Sequence, residues 1–332
     1  MAVLRKGRSH ASWVLDSAAG LLVGKVLLRG DRDVVRRRIA EHQQQGGGTS
    51  IGMAAPAGAH FGPPLSASRS NRWVGGIGEV DDLGRIDAVQ QRPSRLDAGT
   101  VELLTRLLAG QRRLEDALGP AAVLGPMARQ LEELDVMLRE ATGRSRDALA
   151  RVVAEWTCYV GWLHAALRHD HQALALCARA TELADDVGDG TVASTATSFQ
   201  GYVARQQGRP RAVIRAAAAA LEVPGADQTQ RTFDLLQAAQ GYAALGDAGE
   251  ACRYLGRAAD LATRAGAPPP SVYWYTEPFF RLNIGLVQLG ISRHRDAVDS
   301  LRAGLKDLPA DQRDARWTDE YREALAAASE HR

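Results

Sequence analysis

Apolar residues recur every three to four positions over most of the chain after about residue 97. The first such stretch is VELLTRLLAGQRRLEDAL, which ends before Gly119-Pro120, and the second is VLGPMARQLEELDVMLREATG. This spacing is typical of helices that bury one face and are separated by Gly, Pro or Asp. Because Val and Ile rarely alternate with polar residues, strands are not expected. The pattern predicts an all-α fold for residues 97–332.

Successive helix pairs in this region fit the register of a tetratricopeptide-like repeat. That repeat has about 34 residues and places small residues at three fixed positions, with a turn between its two helices. Gly161, Gly201, Ala239 and Gly285 each fit the first small position, and they are separated by 40, 38 and 46 residues. The sequence therefore predicts a tetratricopeptide-like superhelix of helical hairpins. An irregular helical bundle is the alternative.

Two regions before residue 97, residues 1–45 and 46–96, lack this periodicity. Residues 1–45 carry nine Lys and Arg against four acidic residues, a net charge of +5, whereas the whole chain has a net charge of only +2. Residues 46–96 are rich in Gly, Pro, Ser and Ala, and such a composition buries too little apolar surface to offset the entropy of ordering it. We expect a short basic segment followed by a flexible linker. A coding bias toward arginine is the alternative explanation of the charge.

The stretch AGLLVGKVLL, near the N-terminus, comes close to a phosphate-binding loop. Val26 stands where such a loop needs Ser or Thr to hold Mg²⁺, and no clear strand precedes the stretch. Nucleotide binding is therefore not expected. The same residues fit a degenerate helix-turn-helix whose second helix would turn Lys25 and Arg29 toward DNA phosphates. Together with Arg36 and Arg37, these are the candidate DNA contacts.

Two other segments resemble a catalytic motif and a metal site, but they lack the strand or the further ligands that such sites need. GTSIG around Ser50 matches a nucleophile elbow by letters, but Gln and Gly rather than a strand precede it. His164, His169 and His171 cluster near one predicted helix end without further metal ligands. No catalytic residue, metal site or cofactor is predicted, and the chain is not expected to be an enzyme.

The cysteines and the hydropathy of the chain bear on its location. The chain has three cysteines and no CxxC pair, which favours a reducing cytoplasm over an oxidising compartment. No apolar run approaches the roughly 20 residues that a membrane-spanning helix needs. We expect a cytoplasmic protein without a membrane partner.

Residues 81–332 resemble the C-terminal region of actinobacterial helix-turn-helix regulators that carry tetratricopeptide-like repeats. The matching segments are RPSRLDAGTVELL, RRLEDALGPAAVLGP, AEWTCYVGWLHA and YWYTEPFFRLNIGL. In that family an XRE-type DNA-binding domain precedes the repeats. The resemblance implies a transcriptional regulator whose repeats sense a peptide, a protein or a small-molecule effector. Because residues 1–80 contain no complete domain of that type, a repeat scaffold that binds proteins but not DNA is the alternative.

The repeat register also predicts a ligand groove along the first helix of each pair. Aromatic anchors with one cation and two amides suit a peptide or a mixed apolar and polar ligand. Arg205 is predicted to be exposed in this groove. Whether the aromatic residues meet a ligand or only seal the core between repeats is open at this point, and so is the existence of a homodimer. The predicted groove residues are Glu155, Trp162, Tyr202, Arg205, Gln206, Phe233, Gln240 and Phe279.

Overall fold

The computed structural model describes residues 95–310 and 312–331, together with five residues between 85 and 92. The described residues form eleven α-helices, two short 3-10 helices and no strand, which confirms the prediction of an all-α fold. The 3-10 helices are Pro270–Val272 and Arg316–Thr318. The α-helices are α1 (Ala98–Leu118), α2 (Pro120–Glu140), α3 (Arg144–Ala166), α4 (Asp170–Asp186), α5 (Gly190–Gln206), α6 (Pro210–Glu222), α7 (Gln228–Ala244), α8 (Ala248–Ala262), α9 (Glu277–Gly290), α10 (His294–Asp307) and α11 (Asp319–Glu330).

The predicted basic segment and most of the predicted linker lie outside the described residues. The candidate DNA contacts Lys25, Arg29, Arg36 and Arg37 also lie outside the described residues, and so does the GTSIG motif. Among the described helices, none combines the length and the apolar character that crossing a membrane requires.

The core around the first three helices extends upstream of the boundary predicted at residue 97. Ile86 and Val89, two helical residues inside the predicted linker, are buried in the same apolar cluster as the leucines of α1. Asp97 then caps α1, since its carboxylate accepts a hydrogen bond from the Thr100 backbone N–H at 2.8 Å. Two apolar residues three positions apart are a helical signal, but the surrounding Gly-rich and Pro-rich sequence obscures it.

Turns of one kind close the helix pairs from α3 to α10. The most extensive contacts join α3 to α4, α7 to α8, α9 to α10 and α5 to α6. Each pair is connected through one residue with left-handed backbone, and these residues are Arg168, Gly208, Gly246 and Ser292, with φ of 62°, 66°, 78° and 60°. All four lie seven residues after the starting residues of the predicted register. The turn therefore recurs in register even where its residue is not glycine.

Close approach of the paired helices depends on their small residues. A Cβ atom added to Gly285 would lie 2.5 Å from Leu301 Cγ, and one added to Gly161 would lie 3.1 Å from Cys177 Sγ. Leu301, the neighbour of Gly285, lies one helical turn beyond Ala297. Ala297 is the small residue that the register predicts at this contact, and it is fully buried. A larger side chain at the glycine would push the two backbones apart.

An insertion between α8 and α9 explains why Ala239 and Gly285, two successive starting residues of the register, are 46 residues apart. Residues 263–276 contain the 3-10 helix Pro270–Val272 and the aromatic run Tyr273-Trp274-Tyr275. Tyr273 Oη donates a hydrogen bond to Asp116 at the end of α1, and Trp317 Nε1, from the second 3-10 helix, donates to the same carboxylate. The beginning of the helical array therefore meets its insertion and its C-terminal segment.

Candidate functional site

A cavity that is open to solvent lies where these parts meet, and the empty space in the cavity and at its mouth is about 790 Å³. Its walls come from α1, α3, α5, α7, α9 and α11, from the insertion and from the second 3-10 helix. From α3 to α9, the contributing helices are the first members of the four pairs. The faces of these four helices that carry the lining residues are therefore turned toward one space. We refer to this space as the aromatic cavity.

Six of the eight predicted groove residues line the aromatic cavity. They are Trp162, Tyr202, Arg205, Phe233, Gln240 and Phe279. Glu155 does not; it accepts a hydrogen bond from Arg112 Nη1 at 2.5 Å and lines a smaller adjacent recess. Gln206 also lies outside the lining, and its amide donates to Tyr202 Oη at 2.9 Å.

Aromatic residues dominate the lining of the cavity. The chain has 6 Trp, 7 Tyr and 5 Phe residues, and eleven of these rings line this one cavity. The sequence prediction missed seven of them. Two signals could have found Tyr273, Trp274 and Tyr275: the excess length of the last register step, and three adjacent rings in a chain with few aromatics. The other missed rings are Tyr159, Phe199, Trp317 and Tyr321.

The rings contact one another as well as the cavity. The centroid of Trp162 lies 5.3 Å from Phe199 and 5.0 Å from Tyr202, and that of Phe279 lies 5.8 Å from both Phe233 and Trp317. Offset and edge contacts at such distances stabilise aromatic clusters. Trp162 also packs against the buried core clusters beneath it. These residues therefore seal the core and present ring surface to the cavity at the same time.

Two adjacent carboxyl groups, on Glu115 and Asp116, form an acidic part of the wall. They lie in the last turn of α1, where the helix dipole places partial negative charge. Tyr159 Oη donates to Glu115 Oε2, while Tyr273 Oη and Trp317 Nε1 donate to the two oxygens of Asp116, all at 3.1 Å. Burial raises the pKa of Glu115 to about 8, and the neighbouring Asp116 carboxylate adds to the shift.

The guanidinium of Arg112 lies behind this acidic wall and does not line the cavity. It is paired with Glu155, and its central carbon lies 5.0 Å from the ring centroid of Tyr159 and 5.7 Å from that of Trp274. Its charge is therefore paired with that of Glu155, which does not line the cavity either. The sequence prediction placed Glu155 in the groove because it could not show this pair, whose members lie 43 residues apart.

Arg205 supplies the positive charge of the lining and differs from its prediction. Its guanidinium forms a bidentate pair with Glu320 of α11, with the Nη2 to Oε2 distance at 3.0 Å, and lies over the ring of Tyr202. The side chain is 28% exposed, so the prediction of an exposed arginine was wrong. Burial lowers the pKa of Arg205, but the Glu320 carboxylate outweighs burial and raises it overall. The pair joins α5 to α11 across 115 residues.

Amide side chains complete the polar part of the lining. Gln240 Nε2 donates to Asn283 Oδ1 at 2.9 Å, and Gln237 Nε2 donates to the Ser198 carbonyl at 3.0 Å. The side-chain oxygen of Gln237 is buried and accepts no hydrogen bond from the described residues. Tyr275, which also lines the cavity, has a buried hydroxyl group without a hydrogen-bond partner among the described residues.

A second buried acid, Asp234, lies between α5 and α7 but outside the cavity lining. It accepts hydrogen bonds from Ser194 Oγ and Gln230 Nε2, both at 2.8 Å, and from Ser198 Oγ. Burial raises the pKa of Asp234 to about 7 despite these donors. The group ties two cavity-forming helices together.

The histidines identified in the sequence form a pair and not a larger cluster. His164 Nδ1 lies 3.2 Å from His169 Nδ1 at the turn between α3 and α4, and His171 is exposed. Over the described part of the chain, no group of three or more His, Cys, Asp or Glu side chains is arranged to hold a metal ion. Comparison of the chain with protein-family models, with curated proteins and with solved structures found no match.

Proposed function

We propose that this chain is a cytoplasmic regulatory protein that binds an effector in the aromatic cavity of a tetratricopeptide-like superhelix. The observation that carries the proposal is the concentration of eleven aromatic rings, with carboxyl, guanidinium and amide groups among them, around one solvent-open space. Ligand sites combine predominantly apolar walls with a few polar groups that fix orientation. The recurring turns and small residues support the repeat architecture.

The position of the cavity suggests how an effector would act. Asp116 connects α1 to the insertion and to the C-terminal segment, and the pair of Arg205 with Glu320 connects α5 to α11. A ligand in this space contacts both ends of the helical array. Because a ligand shifts a conformational equilibrium only through its different affinity for the two states, such a ligand would favour the array with its ends together.

The proposed output is transcriptional regulation through the basic segment, residues 1–45. The net charge of +5 in that segment and the resemblance to helix-turn-helix regulators support this part of the proposal. All three cysteines are free thiols, which supports a reducing compartment such as the cytoplasm. A scaffold that binds only proteins is the second candidate, since residues 1–80 lack a complete DNA-binding motif.

Thermal shift measurements on the full chain test the effector site. A panel of small organic cations, anions and neutral amphiphiles would be screened against the parent chain, Trp274→Ala and Trp317→Ala, with Leu245→Ala as the control for an exposed apolar residue. We expect compounds that raise the Tm of the parent and of Leu245→Ala but not of the two cavity variants. Compounds that act equally on all four chains, or a panel without any active compound, would contradict the proposed site.

DNA binding is tested separately by fluorescence anisotropy on the full chain at several salt concentrations. Regulation predicts binding that weakens steeply with salt and changes when an active compound from the panel is present. Reversal of the charges at Arg36 and Arg37 should abolish it. Absence of DNA binding at low salt would favour the protein-binding scaffold.

A further inference from the structure

We propose that the ligand of the aromatic cavity is an uncharged, flat aromatic compound, which binds to the ring surfaces of the wall and not to a charged group. This inference rests on the proposed function, because it names the chemical class of the effector. Its support comes from the contacts among the rings, the state of the ionisable groups in the lining and the neutral polar atoms of the wall.

Aromatic rings of the lining contact one another in an unbroken sequence from α5 to the insertion. The ring centroid of Trp162 lies 5.0 Å from that of Tyr202 and 5.3 Å from that of Phe199. Phe199 stacks on Trp274 of the insertion, with 6.4 Å between the centroids and 22° between the planes. Trp274 in turn lies 5.4 Å from Tyr275, again between centroids. This part of the wall is therefore a continuous surface of rings.

The sequence of ring contacts continues from the insertion to the C-terminal helix. Tyr275 stacks on Phe233 of α7, with 4.9 Å between the centroids. The centroid of Phe279 on α9 lies 5.8 Å from that of Phe233 and 6.4 Å from that of Tyr321 on α11. All of these rings line the cavity. We refer to the eight rings, which begin with Tyr202 and end with Tyr321, as the ring belt.

An ion pair connects the two ends of the ring belt. Glu320, which precedes Tyr321 in α11, forms the bidentate pair with Arg205 of α5. The central carbon of the Arg205 guanidinium lies 5.1 Å from the ring centroid of Tyr202. The contacts therefore form a closed circuit around residues that all line the cavity. Because the two charges of the pair are in contact, they largely cancel each other for a ligand in the cavity.

The carboxyl groups at the end of α1 do not favour a charged ligand. Burial raises the pKa of Glu115 to about 8, so this group is mainly protonated and uncharged at neutral pH. The two oxygens of Asp116 already accept hydrogen bonds from Tyr273 Oη and Trp317 Nε1. An anionic ligand would face the Asp116 carboxylate, and a cationic ligand would compete with these donors for its oxygens. Burial of a charge is costly unless the charge gains a partner.

Two neutral polar atoms of the wall lack a hydrogen-bond partner among the described residues. They are Oε1 of Gln237 and Oη of Tyr275, and each of these residues is 1% exposed. A buried polar atom without a partner lowers stability. A hydroxyl or N–H group on an uncharged ligand would satisfy such an atom without bringing a charge into the cavity.

A flat aromatic ligand gains more from such a wall than an aliphatic ligand of similar size. Offset and edge contacts between aromatic rings stabilise a complex beyond the effect of the apolar area that they bury. A rigid ring system also loses less conformational freedom on binding than a flexible chain does. Because the rings of the belt already contact one another in offset and edge geometries, a bound ring extends the same set of contacts.

Isothermal titration of the full chain with four matched probes tests the inference at pH 6.5, where Glu115 is protonated. Naphthalenemethanol, naphthalenemethylamine and naphthalenecarboxylate share one flat ring system and differ in charge, whereas decalinmethanol carries the alcohol on a saturated, puckered body. We expect naphthalenemethanol to bind about tenfold more tightly than either charged probe and about fivefold more tightly than decalinmethanol. A charged probe or decalinmethanol that binds as tightly as naphthalenemethanol overturns the inference, as does the absence of binding by all four probes.

Two adjacent residues of α9 locate the binding surface. Phe279→Leu removes one ring of the belt and keeps an apolar side chain, so it should weaken the binding of naphthalenemethanol about fivefold and leave that of decalinmethanol within about twofold. Phe280 is buried but does not line the cavity, so Phe280→Leu, the matched control, should leave both affinities within about twofold. Phe199→Leu repeats the test on α5.

Retained binding of decalinmethanol shows that the cavity of a variant is intact. Naphthalenemethanol that binds equally to the parent, Phe279→Leu and Phe199→Leu overturns the inference. An equal loss of affinity for both alcohols in these two variants also overturns it, because contacts between rings would then not be the cause.

Failure of the inference and failure of the proposed function give different results. If a charged probe or decalinmethanol binds best, and Trp274→Ala abolishes that binding, the effector site stands and only the chemical class of its ligand is wrong. If Trp274→Ala and Trp317→Ala leave the binding of every probe and every panel compound unchanged, the effector site itself is wrong.

Discussion

Two tryptophans of α3, six residues apart, lie in surroundings that differ in kind. Trp156 is 1% exposed and is enclosed by the aliphatic side chains of the first core cluster. Trp162 is half-buried, contacts Phe199 and Tyr202, and presents the rest of its ring to the aromatic cavity. One face of the helix therefore holds the fold together, while the other forms the wall of a site.

The other helices that line the cavity follow the same division in part. On α9, Gly285 packs against Leu301 without a polar group to satisfy, whereas the packed faces of α5 and α7 also bury Asp234 with its hydrogen-bond donors. The cavity faces of these helices bury carboxyl groups, a guanidinium and amides, and burial of these groups reduces stability unless each finds a partner. Residues that form a site at the expense of stability are expected where function has been selected.

The largest expected effect contrasts the two tryptophans directly. Trp156→Ala should lower the free energy of unfolding by about 3–5 kcal/mol, because it leaves a cavity inside a packed core. Trp162→Ala should cost about 1–2 kcal/mol, since water can reach the vacated space. Urea unfolding of both variants followed by circular dichroism provides the measurement. Equal losses would mean that Trp162 belongs to the core as fully as Trp156 does.

Glu115 provides a test that depends on pH. Its native pKa of about 8 lies above the ordinary value of 4.5, so the folded chain binds an extra proton between these values and loses stability as pH rises through them. Glu115→Gln removes this loss. It should match the parent near pH 4.5, and its free energy of unfolding at pH 8.5 should exceed that of the parent by about 3–5 kcal/mol.

Urea titrations at a series of pH values check this expectation. Asp234 has a pKa of about 7 against an ordinary value of 3.8, so its ionisation should separately lower the free energy of unfolding as pH rises between these two values. This loss of stability should persist in Glu115→Gln. A parent and a Glu115→Gln variant with parallel stability curves between pH 5 and pH 8 would show that Glu115 ionises normally.

On the packed face, Gly285→Val should cost about 1–3 kcal/mol, because its new side chain meets Leu301 at a distance that forces the helices apart. Gly256→Val is the matched control. Gly256 lies on an exposed part of α8 with no neighbour within 4 Å of an added Cβ, so this substitution should stay within about 0.5 kcal/mol of the parent. Thermal unfolding of both variants gives the comparison, and similar Tm values for the two would refute close packing at Gly285.

The smallest expected effect concerns the ion pair on the cavity face. Arg205→Ala removes a bidentate, partly buried pair and should cost about 1 kcal/mol. Arg281→Ala removes the pairs of Arg281 with Glu277 and Asp307, which are more exposed, and should cost about 0.5 kcal/mol or less. High salt should widen the difference slightly, because it screens the exposed pairs of Arg281 more than the partly buried pair of Arg205. A loss of stability that is the same for both variants would place Arg205 among ordinary surface residues.

Much of the helical architecture could be predicted from local pattern. The spacing of apolar residues gave the helices, and the register that begins at Gly161, Gly201, Ala239 and Gly285 correctly anticipated where the turns fall. Six of the groove residues predicted from that register line one cavity, because residues on the same face of neighbouring helices share an environment. Ile86 and Val89 were missed because two buried residues within a Gly-rich and Pro-rich stretch carry little signal.

The sequence by itself determined the helices, their breaks and the small residues that allow them to pair, since these depend on residues within a few turns of each other. Only the tertiary structure decided that Asp116 meets Tyr273 and Trp317, which lie 157 and 201 residues further along the chain. It also decided that Arg205 is paired and not exposed. Such contacts depend on how all the intervening helices pack, and this packing is not determined by residues within a few turns of each other.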